Sequence, residues 1–218
     1  MKTFVRKLKL VKDEYWLSEQ MKNELFYCEP LLKNDKNIDL INNFCVNEQT
    51  GKGLEYYLRL QAIADEKCFI NRTYLVKDNE TNELVGYFSL KAGMVSVNES
   101  WIGNEFDAIP GVELANFAVN SNYKQAHEEA TGIGQIIFMD FILPICQRAA
   151  QKIGINFIYI FALPYPKLIN YYQKLNFTRL KPKEEKKIHR HFKPRYDRGC
   201  IFMSRSLFTN EESKYALE

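Results

Sequence analysis

The sequence predicts one α+β domain with helices packed around a single mixed sheet. Three observations predict it. A strand-like apolar run at 112–119 leads through the turn Thr131-Gly132-Ile133-Gly134 into an apolar helix at 136–153, and a buried strand follows at 156–162. A hairpin precedes this unit: Tyr74-Leu75-Val76-Lys77 and Leu84 to Leu90 flank the polar turn at 78–82. A length of 218 residues, 46% hydrophobic, 26% charged and 14% aromatic, supplies one generous core.

The elements follow in order. Residues 4–11 read as a strand with positions 4, 8 and 10 apolar on one face. Segments 12–28 and 38–45 read as helices separated by Glu29-Pro30, and 54–68 as a third, with Leu54, Tyr57, Leu58, Ala62 and Ile63 at helical spacing. Residues 93–110 read as irregular and 120–130 as a polar loop. The helix after the glycine turn is apolar on most sides, which places it between layers; Pro144 kinks it, and Lys152 and Gly154 end it. Pro166 to Leu175 reads as a short helix with proline in its first turn. Residues 177–180 and 199–207 read as strands, and 181–198 as a solvated hairpin connection. The domain therefore spans 1–208, with a helical elaboration at its N-terminus and a polar tail at 209–218.

Bulk composition excludes several classes. A net charge of +3 is too small to argue nucleic-acid or membrane binding by itself. Five cysteines without C-x-x-C spacing point to reduced structural thiols, with no metal centre. His189 and His191 stand at i, i+2, a spacing that suits a strand edge, without a cysteine or acidic partner. The N-terminus lacks the apolar region of a signal peptide, and the stretch from Ile133 to Cys146 contains Asp140 and Pro144 and is too short for a bilayer. The expectation is a cytoplasmic protein without membrane contact.

The glycine turn carries the chemistry. Two glycines at the mouth of a helix let backbone N–H groups approach an anion, and the helix dipole favours negative charge there. A phosphate-bearing cofactor is the first ligand such a turn suggests. A Rossmann dinucleotide site is disfavoured, because the third glycine position of G-x-G-x-x-G holds Ile137 and the unit is not N-terminal in the chain.

Three pieces together resemble the GCN5-related N-acetyltransferase (GNAT) superfamily over roughly residues 70–180: Glu113 to Val119, Gly132-Ile133-Gly134, and Tyr172-Gln173-Lys174-Leu175-Asn176-Phe177. The resemblance implies a mostly antiparallel mixed sheet flanked by helices, and an acyl-CoA-dependent transfer of an acetyl group from acetyl-CoA to a primary amine. The acceptor is a small molecule, a peptide or an aminoacyl-tRNA. It implies that a bulge in the strand lets the backbone of Phe117, Ala118 and Val119 pair with the pantetheine, and that Thr131, Gly132, Ile133, Gly134 and Gln135 hold the pyrophosphate. Tyr172 matches the general acid that protonates the departing thiolate. Three features depart from the family's pattern. Glu129 stands where Arg or Gln is usual, the loop 120–130 is long and acidic, and Asn176 replaces a glycine.

Deprotonating an alkyl ammonium at pH 7 costs roughly 4 to 5 kcal/mol, so a base is useful. Glu113 is the candidate, as the one acid in the strand 112–119; the alternative is a carboxylate facing solvent. Tyr171 is read as structural, since adjacent helical residues diverge by about 100°. The basic and aromatic stretch 181–198 raises a tRNA-acetylating toxin as one alternative, although nucleic acid is not the favoured partner, and a catalytically silent acyl-CoA-binding protein as another. The amine itself is not legible, and a homodimer is compatible with the chain.

Overall fold

The computed structural model describes residues 21–99, 106–191 and 199–208. The strand expected at 4–11 and the polar tail lie outside them. Among the described residues, eight strands form one sheet in the order β1-β2-β3-β4-β5-β6-β8-β7. They are β1 (Met21–Lys22), β2 (Phe26–Pro30), β3 (Arg72–Asp78), β4 (Leu84–Glu99), β5 (Phe106–Val119), β6 (Phe157–Ala162), β7 (Thr178–Arg179) and β8 (Ile201–Ser206). Only β5 and β6 pair in parallel; the remaining neighbours are antiparallel.

Several expectations are corrected. The described part of the helix expected at 12–28 is a hairpin: Asn23 Oδ1 accepts the N–H groups of Leu25 and Phe26, turning the chain from β1 into β2. Phe26 and Cys28 then alternate into the core with period two. Residues 54–68 form two helices, α2 (Lys52–Leu60) and α3 (Ala62–Lys67), rather than one. Residues 93–110 are not irregular, because β4 and β5 continue through them as a long two-stranded arm. Cross-strand pairing, invisible in either strand alone, overrides the weak strand propensity of this stretch. The polar loop contains α4 (Ser121–Ala126), capped by Asn120 Oδ1, which accepts the Asn122 N–H at 3.2 Å. The connection after β7 is a helix, α8 (Pro182–His191), so His189 sits on a helix and not on a strand edge. Pro182 opens it, with Glu184 and Glu185 in the first turn.

The helix after the glycine turn is continuous from Ile133 to Ala150. It comprises α5 (Ile133–Ile137), a π turn (Phe138–Ile142) and α6 (Leu143–Ala150). Pro144 has no N–H to give Asp140 C=O, and the wider turn accommodates that missing bond. This helix is long and apolar enough to cross a membrane. In the fold, Ile133, Ile137, Phe138, Phe141, Ile142 and Cys146 are instead buried with Val85, Phe88, Leu114 and Ile158 of the sheet. Each such side chain contributes about 1.5–3 kcal/mol by leaving water.

The opposite sheet face carries α1 (Lys36–Asn42), α2 and α3 over a second cluster containing Phe44, Leu58, Leu75, Tyr87 and Ala118. Farther along that face, α8 covers Val95, Tyr159 and Phe202 with Ile188. Lys77 anchors the first of these coverings: its buried Nζ donates to Glu29 Oε1 at 2.5 Å and to Asn37 of α1. None of the five cysteines is in a disulfide, and Cys28, Cys146 and Cys200 are buried.

Candidate active site

β5 and β6 are paired only at Gly111–Phe157, Val112–Ile158 and Glu113–Tyr159. Beyond those residues β5 stays with β4 as far as Val119, and β6 stays with β8 as far as Ala162. The two parallel strands therefore part, leaving a V-shaped cleft at their carboxyl ends, the usual position for a ligand in a parallel sheet.

A bulge shapes one wall. Leu114 pairs with Leu90 and Asn116 with Ser89, so Ala115 is the extra residue. The extra residue reverses the faces of the strand. Val112 and Leu114 point to the α5–α6 side before it, Phe117 and Val119 do so after it, and Ala118 turns to the α1–α2 side. Asn120 N–H donates to Val85 C=O at 2.8 Å, which identifies Asn120–Val85 as a hydrogen-bonded antiparallel pair. By alternation Ala118 also bonds to β4, whereas the N–H and C=O groups of Phe117 and Val119 face away from β4 into the cleft. Of the three residues expected to present their backbone, these two do so.

At the mouth of the cleft Gly132 caps α5 in the left-handed region at φ 69°, with open space around its Cα. The first bond of that helix runs from Ile136 N–H to Gly132 C=O at 3.0 Å. The amides of Ile133, Gly134 and Gln135 therefore precede the helical ladder and remain available at the dipole's positive end. Thr131, Gly132 and Gln135 are exposed there, while the Ile133 side chain plugs into the core.

Solved structures of toxins share this architecture. A Tyr-to-Phe mutant of KacT matches with a TM-score of 0.62 at 16% identity, over 89% of this chain and 100% of that one. AtaT complexed with acetyl-methionyl-tRNAfMet gives 0.56 at 17%, over 88% and 99%, and AtaTR bound with acetyl-CoA gives 0.56 at 18%, over 90% and 100%. The fold is the GNAT fold. At these identities the likeness is one of fold, and no family model matches the chain.

Within the GNAT fold, α7 (Pro166–Lys174) carries the later signature and packs against α5. Phe177 N–H donates to Tyr172 C=O and Asn176 N–H to Gln173 C=O, with Asn176 left-handed at φ 62°. The Tyr-to-Phe spacing is thus a helix-ending Schellman motif, and the rings of Tyr172 and Phe177 make its hydrophobic contact at 5.4 Å. Asparagine serves in place of glycine because it tolerates this conformation. Tyr172 is buried at 8% exposure in the core beneath α5, and burial pushes its hydroxyl pKa up.

Tyr171 has a role its spacing does not reveal. A Cβ on Gly134 would lie 2.7 Å from the Tyr171 hydroxyl, so this glycine admits a tyrosine against α5. That hydroxyl is buried without a hydrogen-bond partner.

Glu113 lies on the sheet face opposite α5, between the two clusters under α1–α3 and α8. Its side chain keeps 17% exposure. Burial raises its carboxyl pKa, with Lys91 across the ladder opposing the rise. Tyr159 flanks it, and a Cβ on Gly93 would collide with the Tyr159 hydroxyl. No linear motif signals Lys91 or Tyr159, because register alone assembles them.

Glu129 also finds an explanation. The His127 ring lies over Tyr123, with Nε2 3.0 Å from Glu83 Oε2 and Nδ1 3.5 Å from Glu129 Oε1. Tyr123 OH donates to Asp78 at 2.6 Å. Glu129 belongs to a clasp that ties the segment before the glycine turn to the β3–β4 turn.

Proposed function

We propose that the protein transfers an acetyl group from acetyl-CoA to a primary amine. The carrying observation is the parted β5–β6 pair, whose outward Phe117 and Val119 groups lead to the free amides at the start of α5. Such a track suits an amide-containing arm ending in a diphosphate.

The chemistry assigns each group one step. Glu113, through a water molecule, takes a proton from the ammonium; the amine lone pair then attacks the thioester carbonyl. The carbonyl electrons move onto oxygen, where the outward amide of Phe117 or Val119 stabilises them. Collapse breaks the C–S bond, the thiolate takes the Tyr172 proton, and the remaining extra proton on nitrogen returns through water to the tyrosinate as the neutral amide forms. Burial keeps that phenol protonated throughout the physiological range, and the same dry cleft raises the affinity of the thiolate for a proton. No metal is required.

The acceptor class best supported is the aminoacyl group of a charged tRNA. AtaT is seen with an acetylated initiator tRNA, and Lys181, Lys183 and Lys186 are exposed at the helix that covers one side of Glu113. Calorimetry with coenzyme A, followed by turnover of labelled acetyl-CoA with charged tRNA and with small amines, tests the reading. Binding without turnover of any amine identifies a silent acyl-CoA-binding protein. Absence of heat with coenzyme A overturns both.

A further inference from the structure

α3 ends in a Schellman motif of an unusual kind. Ile70 N–H donates to Asp65 C=O at 2.9 Å and Phe69 N–H to Glu66 C=O at 3.2 Å. The left-handed position, ordinarily glycine, is Phe69 at φ 59°. A bulky residue in that conformation is strained, and burial does not offset the strain, because Phe69 is 72% exposed. The strain therefore holds an aromatic ring out into water.

The ring does not stand alone. The Arg72 guanidinium lies 4.6 Å from its centroid. Arg72 Nη1 is in turn fixed to Glu66 Oε1 at 2.7 Å, and Glu66 Oε2 accepts the Thr73 N–H. One face of Phe69 is thus backed by a cation held in place by the start of β3, and its remaining surface is open. Arg72 pairs with Leu90, the residue before Lys91, and Lys91 pairs with Glu113. At about 4.8 Å per strand, the backbone of Glu113 lies two strands, or roughly 10 Å, from that of Arg72, and α3, which carries Glu66 and leads into Phe69, covers the same sheet face as Glu113.

We infer that Phe69 and Arg72 form a stacking platform for an unpaired nucleobase of the RNA acceptor, with Arg72 and Lys91 beside the ribose-phosphate chain. An exposed aromatic ring next to cations is the means by which proteins hold single-stranded nucleic acid. The inference rests on the charged-tRNA reading and names the group that positions the acceptor's end near Glu113.

Fluorescence anisotropy with uncharged bulk tRNA, on the full chain, tests it with Phe69→Gly and Phe69→Trp. Phe69→Gly relieves the left-handed strain, so its melting temperature is expected to rise while RNA affinity falls about tenfold. Phe69→Trp is expected to keep wild-type RNA affinity, and both variants to bind coenzyme A as wild type does. Unchanged RNA affinity in Phe69→Gly overturns the platform, as does an equal loss of coenzyme A and RNA binding. A change in sedimenting mass with RNA affinity intact makes the patch a protein contact instead. Wild type failing to bind RNA overturns the platform together with the tRNA reading, yet leaves acetylation of other amines standing.

Discussion

Lys91 and Glu113 face each other across the β4–β5 ladder, with Nζ 3.9 Å from Oε2. Glu113 acts as a base only when ionised, and burial holds its pKa above the ordinary 4.5 despite Lys91. The rate kcat/KM is therefore expected to fall, as pH drops, at a value above 4.5. Lys91→Met removes the opposing charge and moves that midpoint further up, and Glu113→Gln lowers kcat/KM by about 10²–10⁴. A pH–rate profile unmoved by Lys91→Met assigns the base to another group.

Tyr172→Phe is expected to lower turnover by about 10²-fold or more while coenzyme A affinity stays within twofold. The buried ring survives the change, so the loss reads the hydroxyl alone. Equal turnover in single-turnover experiments removes Tyr172 from the chemistry.

The Tyr171 and Gly134 contact makes a double-mutant prediction. Gly134→Ala sets a methyl against the Tyr171 hydroxyl and is expected to destabilise by about 1–3 kcal/mol. Tyr171→Phe removes an unpaired buried hydroxyl and is expected to be neutral or stabilising. The double variant should recover most of the loss, which denaturant unfolding of all four proteins measures.

The Lys77–Glu29 pair ties acid stability to the N-terminal helices. Burial pushes the Glu29 carboxyl up, but hydrogen bonds and charge from Lys77, with Asn37 and Asn34, hold it below 4.5. A carboxyl pKa lowered on folding stabilises above the unfolded value, and that stability is lost as pH falls through the folded one. Lys77→Met leaves Glu29 buried and uncompensated, and is expected to cost about 3–5 kcal/mol near neutral pH. The gap from wild type should narrow toward acid as Glu29 protonates. A constant gap from pH 7 to 4 contradicts this account.

The His127 clasp carries the opposite sign. Its hydrogen bond to Glu83, joined by the charges of Glu83 and Glu129, raises the imidazole pKa. Its grip on the glycine-turn segment is full below the ordinary value of 6.5 and is lost as pH rises through the raised one. Coenzyme A affinity is expected to weaken over that window, and His127→Gln to flatten the dependence. Calorimetry at several pH values decides.

Local chemistry made much of the molecule legible in the sequence. The hairpin at 74–90, the glycine turn with its helix, and the Tyr172–Phe177 helix end each depend on neighbours a few residues apart, so periodicity and turn residues report them directly. Tertiary structure decided the rest. Pairing with β3 turned the described end of the stretch expected as helix at 12–28 into strand at Phe26–Pro30, and mutual pairing straightened the described parts of 93–110 into an arm. The Ala115 bulge chose which amides face the cleft, and register set Lys91 beside Glu113 and Tyr171 over Gly134. A single chain cannot display these relations, because cross-strand register and inter-helix contact depend on residues far apart in sequence that only folding brings together.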